Sequence, residues 1–321
     1  MTETPADTGS TAVRYSRIGG PEVLELVEVE RPRPGDGEVL IEVRAVGVNP
    51  IDAKLRGGVR PSAPFDGPRG TGTDLAGVIV ELGGGVAEWS VGDEVIASAS
   101  GAYATRVVAS ADKLDRRPAE WSWEQAASVG IPVSTAYQAL RSLGVGEGST
   151  LLVHGGSGAV GQAAIQFAVA WGATVIATSG QARHDRVRAL GGIPVEYGDG
   201  LADRVRAAAP EGVDVVLDAA GTDEALRVSF ELVADRDRIG TIVVGARAAE
   251  LGIRAWSGGN PLPLTAEEKR LRREGVAAAA VLAAERRFDV EVALTLPLAE
   301  AAQAQRLVES GEAPGKIVLL P

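Results

Sequence analysis

Gly156-Ser157-Gly158-Ala159-Val160-Gly161 has the spacing G-x-G-x-x-G. The chain holds 41 glycines, so the spacing alone would arise by chance and its context has to decide its meaning. Leu151 to His154, just before it, reads as an apolar strand. Ala159 to Trp171 reads as a helix of small and apolar residues, and Thr174 to Thr178 as the next strand. In such a strand–loop–helix turn, Gly156 permits a sharp bend. Gly158 leaves the backbone open to a pyrophosphate, and Gly161 lets the helix lie close on the sheet. Free N–H groups at the helix start, contributed by Ser157, Ala159, Val160 and their neighbours, then hold phosphate oxygens. The chemistry indicated is dinucleotide binding.

The stretch after the second strand bears on which dinucleotide. An NAD site places an acid there for the ribose 2′-OH. Here the residues are Thr178-Ser179-Gly180-Gln181-Ala182-Arg183-His184, and the first acid, Asp185, lies inside the next helix. A hydroxyl and an arginine suit a 2′-phosphate, so the expected cofactor is NADPH. Zinc chemistry needs a Cys, His and carboxylate set. With no Cys and two His, the chain cannot supply a three-ligand cluster, and no metal site is expected. His154, beside the glycine loop, and His184, at a helix start, read as structural or surface residues.

These residues need a scaffold. A length of 321 residues fits two domains, and 45% apolar residues suffice for full cores. Up to about residue 130 the pattern is mostly β. Ala12–Tyr15, Leu24–Val29, Glu38–Arg44, Gly77–Leu82 and Asp93–Ala97 are short strands separated by glycine and proline turns, as in a small barrel or sandwich. Helices follow at Trp123–Ser128 and Thr135–Leu143. From Thr150 strands and helices alternate, with a helix at Arg183–Leu190 and buried parallel strands at Val213–Asp218 and Arg238–Val244, the rhythm of a doubly wound α/β domain. A helix at Ala299–Ser310 and a strand at Lys316–Leu320 close the chain. The net charge of −11 repels nucleic acid and anionic membrane, so neither is an expected partner. No apolar run reaches the ~18 residues of a membrane span. Met1 to Ser10 reads as a polar tail without secretory-signal character, and the expected location is cytoplasmic.

Several blocks together resemble the quinone oxidoreductase and enone reductase branch of the medium-chain dehydrogenase/reductase superfamily. They are Val46-Gly-Val-Asn-Pro-Ile-Asp-Ala-Lys-Leu-Arg56, Gly72-Thr-Asp-Leu-Ala-Gly-Val78, Val91-Gly-Asp-Glu-Val95, Glu124-Gln-Ala-Ala127 with Thr135-Ala-Tyr137, the glycine loop, and Gly315-Lys-Ile-Val-Leu319. The resemblance implies a GroES-like β-rich catalytic domain over 1–130, completed by 288–321, and a Rossmann NADPH-binding domain over 131–287. It further implies an active site in the cleft between the two, and commonly a homodimer. The family's active-site Asn and Asp map to Asn49 and Asp52. Enone and alkenal reductases similar to this chain carry a lysine at Lys54, where many quinone reductases have Tyr. The nicotinamide-side threonine maps to Thr135, and the 2′-phosphate contacts to Ser179, Arg183 and Tyr197.

Without a metal, reduction requires an acceptor that is already electrophilic, such as a quinone or an α,β-unsaturated carbonyl. Hydride addition leaves charge on oxygen, which a donor must stabilise before a proton arrives. Lys54 is the candidate donor, Asn49 could orient substrate or ribose, and Asn49 and Asp52 can equally form an Asx-stabilised turn at Asn-Pro. Two other readings share the glycine loop: a biosynthetic enoyl reductase on carrier-bound substrates, and a non-enzymatic NADPH-binding sensor or structural protein. Assay with NADPH against quinones and enones separates the three.

Overall fold

The computed structural model describes residues 9–60, 64–256, 259–313 and 315–321. Of the expected polar tail, Met1–Thr8 lie outside these residues, whereas Gly9 and Ser10 begin a strand. The chain divides into two units, Met1–Ile131 with Val290–Pro321, and Pro132–Asp289.

The first unit begins with strands β1 (Gly9–Tyr15), β2 (Glu25–Glu30) and β3 (Glu38–Gly47), then helix α1 (Pro50–Arg56). Strands β4 (Arg69–Gly70), β5 (Asp74–Leu82), β6 (Glu94–Ser98), β7 (Arg106–Ser110) and β8 (Leu114–Arg116) precede helix α2 (Trp123–Ala127). A three-stranded sheet has the order β2-β1-β4, and β3 anchors the larger sheet by pairing antiparallel with both β5 and β7. Val39, Leu40 and Ile41 of β3 are fully buried, so this part of the strand is enclosed on both faces. Turn chemistry governs α1. Asn49 is its extended N-cap and Pro50 occupies the first turn, where a missing N–H costs nothing.

The second unit begins inside helix α3 (Gly130–Ser142), which starts five residues earlier than the pattern predicts. Pro132 looks like a helix breaker in sequence but lies in the first turn, where proline is tolerated. Next come β9 (Thr150–His154), α4 (Ala159–Ala170), β10 (Thr174–Ser179), α5 (His184–Ala189), β11 (Ile193–Glu196), α6 (Leu201–Ala208), β12 (Val215–Asp218), α7 (Asp223–Leu232), β13 (Ile239–Thr241), α8 (Ala248–Leu251), β14 (Arg254–Ala255) and α9 (Ala266–Ala284). The six strands are parallel in the order β11-β10-β9-β12-β13-β14. In order of appearance that is 3-2-1-4-5-6, the dinucleotide-binding arrangement, with a topological switch between β9 and β12. Leu152, Ile176, Val216 and Ile239 fill its core from four neighbouring strands. The strand expected at Arg238–Val244 is β13, which stops at Thr241 and is interior, because β14 pairs outside it. Gly240 makes this possible. A Cβ there would lie 2.5 Å from the Trp256 ring, which packs over the strand.

The chain then supplies the first unit with β15 (Val292–Pro297), α10 (Ala301–Ser310) and β16 (Lys316–Leu320). β16 runs antiparallel to β3, with Val318 opposite Gly47, and β15 lies parallel outside it. Among the described residues, no helix is long and apolar enough to cross a membrane.

Candidate functional site

The glycine loop joins β9 to α4 in the second unit. Its left-handed residue is Gly155, with φ +79, so the sharp turn falls one position before the expected Gly156. Gly156 is small for another reason: a Cβ there would meet the Cβ of Ala177 on β10 at 2.6 Å. At Gly161 a Cβ would lie 2.2 Å from the Gly155 carbonyl oxygen, so the helix rests directly on the loop. At Gly158, the N-cap of α4, a Cβ would meet only that same oxygen, at 3.5 Å, and the space above it stays open. Thr178 ties the loop to β10: its hydroxyl accepts from Gly155 N at 3.0 Å and its carbonyl from Gly156 N at 2.8 Å. The Ser157 carbonyl accepts from Gln162 Nε2 at 2.8 Å. Ala159 and Val160 form the first turn of α4. The result is a helix N-terminus with a side-chain-free approach, which is what a diphosphate requires.

Ser179 ends β10 and is 2% exposed, and its hydroxyl has no hydrogen-bond partner among the described residues. Gly180 follows, and a Cβ there would lie 3.3 Å from the phenol oxygen of Tyr197. Tyr197, just beyond β11, is 59% exposed. The Tyr197 phenol therefore lies against the residue that follows Ser179. Arg183 closes the short turn Gln181–Arg183 and precedes α5, half-buried. Thr135 lies in α3, buried. His154 ends β9 beside Asp218 in the parallel register, and burial lowers its imidazole to about 4, so it is neutral. Its position under the loop fits the structural role expected.

In the first unit Asn49 and Asp52 come together, and three residues not singled out in the sequence join them. Asn49 N donates to Asp52 Oδ2 at 2.9 Å, and the Tyr103 hydroxyl donates to the same oxygen at 3.0 Å. Asn49 Nδ2 donates to Asp74 Oδ2 at 2.9 Å, while Lys316 Nζ donates to Asn49 Oδ1 and, at 2.9 Å, to the Val48 carbonyl. The amide of Asn49 thus bridges an ammonium and a carboxylate. All five residues are at most 5% exposed. Asp74 also accepts from Ile131 N at 2.8 Å, and a Cβ on Gly130 would touch its other oxygen. A negative side chain therefore sits under the N-terminus of α3, where the helix dipole favours it. Both ends of the Asn49 amide are thus engaged at the start of α1. Lys54 projects from the same helix. It is half-buried, and its ammonium has no hydrogen-bond or ion-pair partner among the described residues.

Burial dominates the electrostatics here. It raises Asp74 and lowers Lys316, each opposing the other's shift. Burial also raises Asp52 from 3.8 to about 7, with the Asp74 charge adding to the rise and the hydrogen bond from Asn49 N opposing it. Between these pH values the folded chain holds a proton that the unfolded chain releases, so Asp52 makes stability fall as pH climbs from about 4 to about 7. In Asp52→Asn the amide carbonyl can accept both hydrogen bonds without a charge. Its stability relative to wild type should rise through that window by up to about 4 kcal/mol. Urea midpoints measured from pH 4 to pH 8 check this, and parallel pH profiles for the two proteins would contradict it.

Residues 35–120 match the family model described as alcohol dehydrogenase GroES-like domain, and residues 195–319 the one described as zinc-binding dehydrogenase. The quinone oxidoreductase of Pongo abelii is 36% identical over 247 residues, covering 74% of this chain and 73% of that protein. The solved quinone oxidoreductase of Coxiella burnetii is 30% identical with a TM-score of 0.82, over 98% of this chain and 99% of that one. That of Escherichia coli, solved in complex with NADPH, is 27% identical with a TM-score of 0.80, over 97% and 100%. A parallel 3-2-1-4-5-6 sheet with its glycine loop, a GroES-like unit completed by the C-terminal strands, and similarity along nearly the whole length lead to one assignment: the chain belongs to the quinone oxidoreductase branch of the medium-chain dehydrogenase/reductase superfamily.

Proposed function

We propose that this chain reduces quinones or α,β-unsaturated carbonyls with NADPH and without zinc. The observation carrying this reading is the pairing of an open glycine loop with a β10 end that no acid follows before Asp185, where the buried Ser179 hydroxyl lacks a partner among the described residues and the Tyr197 phenol lies against Gly180. The residues fit NADPH. The α4 N-terminus would hold the diphosphate, Ser179, Arg183 and Tyr197 the 2′-phosphate, and Thr135 the nicotinamide side. The Escherichia coli relative solved with NADPH supports the assignment. When bound, that cofactor supplies the hydride. Zinc does not fit. The chain has no Cys, His154 is buried beside Asp218, and no group of three His, Asp or Glu able to hold a metal occurs among the described residues.

The chain's own contribution is to hold an electrophilic acceptor and to stabilise the oxygen on which charge collects. Lys54 is the donor for that oxygen, as a cation next to a developing enolate or hydroquinone anion. Asn49, Asp52, Asp74 and Lys316 fix the helix that carries it. Purified protein should oxidise NADPH in the presence of quinones and enones, should leave simple alcohols untouched with NADP⁺, and should be insensitive to chelators. Lys54→Ala should lower kcat for enones by about 100-fold or more while NADPH binding stays unchanged. Oxidation of simple alcohols, or chelator-sensitive turnover, would overturn the reading, and an unchanged kcat would remove only the role of Lys54.

The proposed protein is a homodimer. β14 is a two-residue edge strand at one side of the six-stranded sheet, and an open edge can pair with a second copy about a two-fold axis. Light scattering at micromolar concentration should give twice the 33.0 kDa chain mass, and a monomer mass would refute pairing.

A further inference from the structure

Tyr197 can help to read a 2′-phosphate only if the loop that carries it is fixed. A phenol that is 59% exposed has little packing to hold it. The loop from Glu196 to Gly200 contains two left-handed glycines, Gly198 with φ +99 and Gly200 with φ +79, so its backbone has unusual freedom in the unfolded chain. One side chain in the folded protein collects this loop. Arg204, in the first turn of α6, donates Nε to the Glu196 carbonyl at 2.9 Å, Nη2 to Gly198 at 2.9 Å and Nη1 to Asp199 at 2.6 Å. Three carbonyls of one loop converge on the fixed fork of a single guanidinium. From the other side, Gly198 N donates to Glu224 Oε2 at 3.0 Å, at the start of α7. The chain is thus gripped at residues 196, 198 and 199, on both sides of Tyr197, while the phenol lies against Gly180, the residue after Ser179 with its unpartnered hydroxyl.

We infer that Arg204 is a positioning residue for cofactor specificity: by clamping the 196–200 loop it holds Tyr197 at the 2′-phosphate. This rests on the NADPH reading above. Arg204 spends its guanidinium on backbone carbonyls, so it acts through Tyr197 and does not contact the nucleotide. A lysine has one ammonium and cannot span the three carbonyls, so Arg204→Lys should restore little.

The test uses two nucleotides that differ by the phosphate, adenosine 2′,5′-bisphosphate and 5′-AMP, titrated calorimetrically into the full-length protein. Wild type should bind the bisphosphate more tightly. Arg204→Gln should weaken the bisphosphate about tenfold, the loss of one charge-assisted hydrogen bond, and change 5′-AMP by less than about twofold. Retained 5′-AMP binding shows that the variant is folded. In a Tyr197→Ala background the same substitution should have no further effect, since the two residues act as one unit. Equal weakening of both nucleotides, or a full additional loss in the Tyr197→Ala background, would make Arg204 merely structural. Discrimination by wild type with unchanged binding in Arg204→Gln would sink the positioning role and leave the NADPH reading intact. Equal binding of both nucleotides by wild type would sink that reading itself.

Discussion

Gly161→Ala should weaken NADPH binding by at least about 100-fold, the equivalent of two misaligned hydrogen bonds to charged phosphate. The added methyl would sit 2.2 Å from the Gly155 carbonyl oxygen and 2.8 Å from Gly156 Cα. Both are backbone atoms at the base of the loop, so no flexible side chain can move aside. Either α4 lifts from the sheet or the loop shifts, and each displaces the N–H groups that face the diphosphate. The change should also lower the melting temperature, because Gly155 is itself tied to Thr178 on β10. Gly158→Ala is the informative partner. Its Cβ finds only ordinary contact at 3.5 Å, so stability should hold while the methyl occupies the approach to the helix terminus. Fluorescence titration with NADPH and thermal melts of both variants separate the effects. A Gly161→Ala protein that binds NADPH as wild type does would show that the diphosphate lies elsewhere.

The glycine loop was legible in sequence because its information is local: six residues between a strand and a helix, with Gly161 at the close approach expected of it. One detail moved, the left-handed turn, from Gly156 to Gly155, since two consecutive glycines leave the position of the turn open. The capping box of α9 is equally local. Thr265 and Glu268 have the required spacing, and each backbone N–H is bound by the other's side chain. The network around Asn49 is different in kind. Its members come from positions 49, 52, 74, 103 and 316, and only strand register joins them: Asp74 faces Gly47, and Gly47 faces Val318. A charged residue opening an apolar run, as Asp74 and Lys316 do, marks each as unusual. It does not say which strand each will face. In β3 the alternation is legible, with Val39, Ile41 and Val43 buried between the less buried Glu38, Glu42 and Arg44, and Leu40 is the buried exception.

A preference for NADPH over NADH is the expected behaviour of the wild-type enzyme, and Arg183→Ala should lose about ten- to 150-fold in kcat/KM with NADPH, the value of one hydrogen bond to a charged group. Three features of the β10 edge combine. No acid follows Ser179 along the chain before Asp185, so the position from which an NAD site offers a carboxylate to the ribose 2′-OH carries none. Ser179 offers a buried hydroxyl with no partner among the described residues, and Tyr197 brings a phenol to Gly180. Arg183 ends the turn that leaves this edge, its N–H held by the Gly180 carbonyl at 2.8 Å, so its backbone is fixed within reach of the same space. A guanidinium fork matches phosphate oxygens better than a single hydroxyl, and with NADH that match has no object. Efficiency with NADH should therefore change little in Arg183→Ala. Steady-state kinetics with both cofactors decide the matter: equal wild-type efficiencies would refute the preference, and an equal loss for both cofactors in the variant would mean that Arg183 supports the turn instead of reading the phosphate.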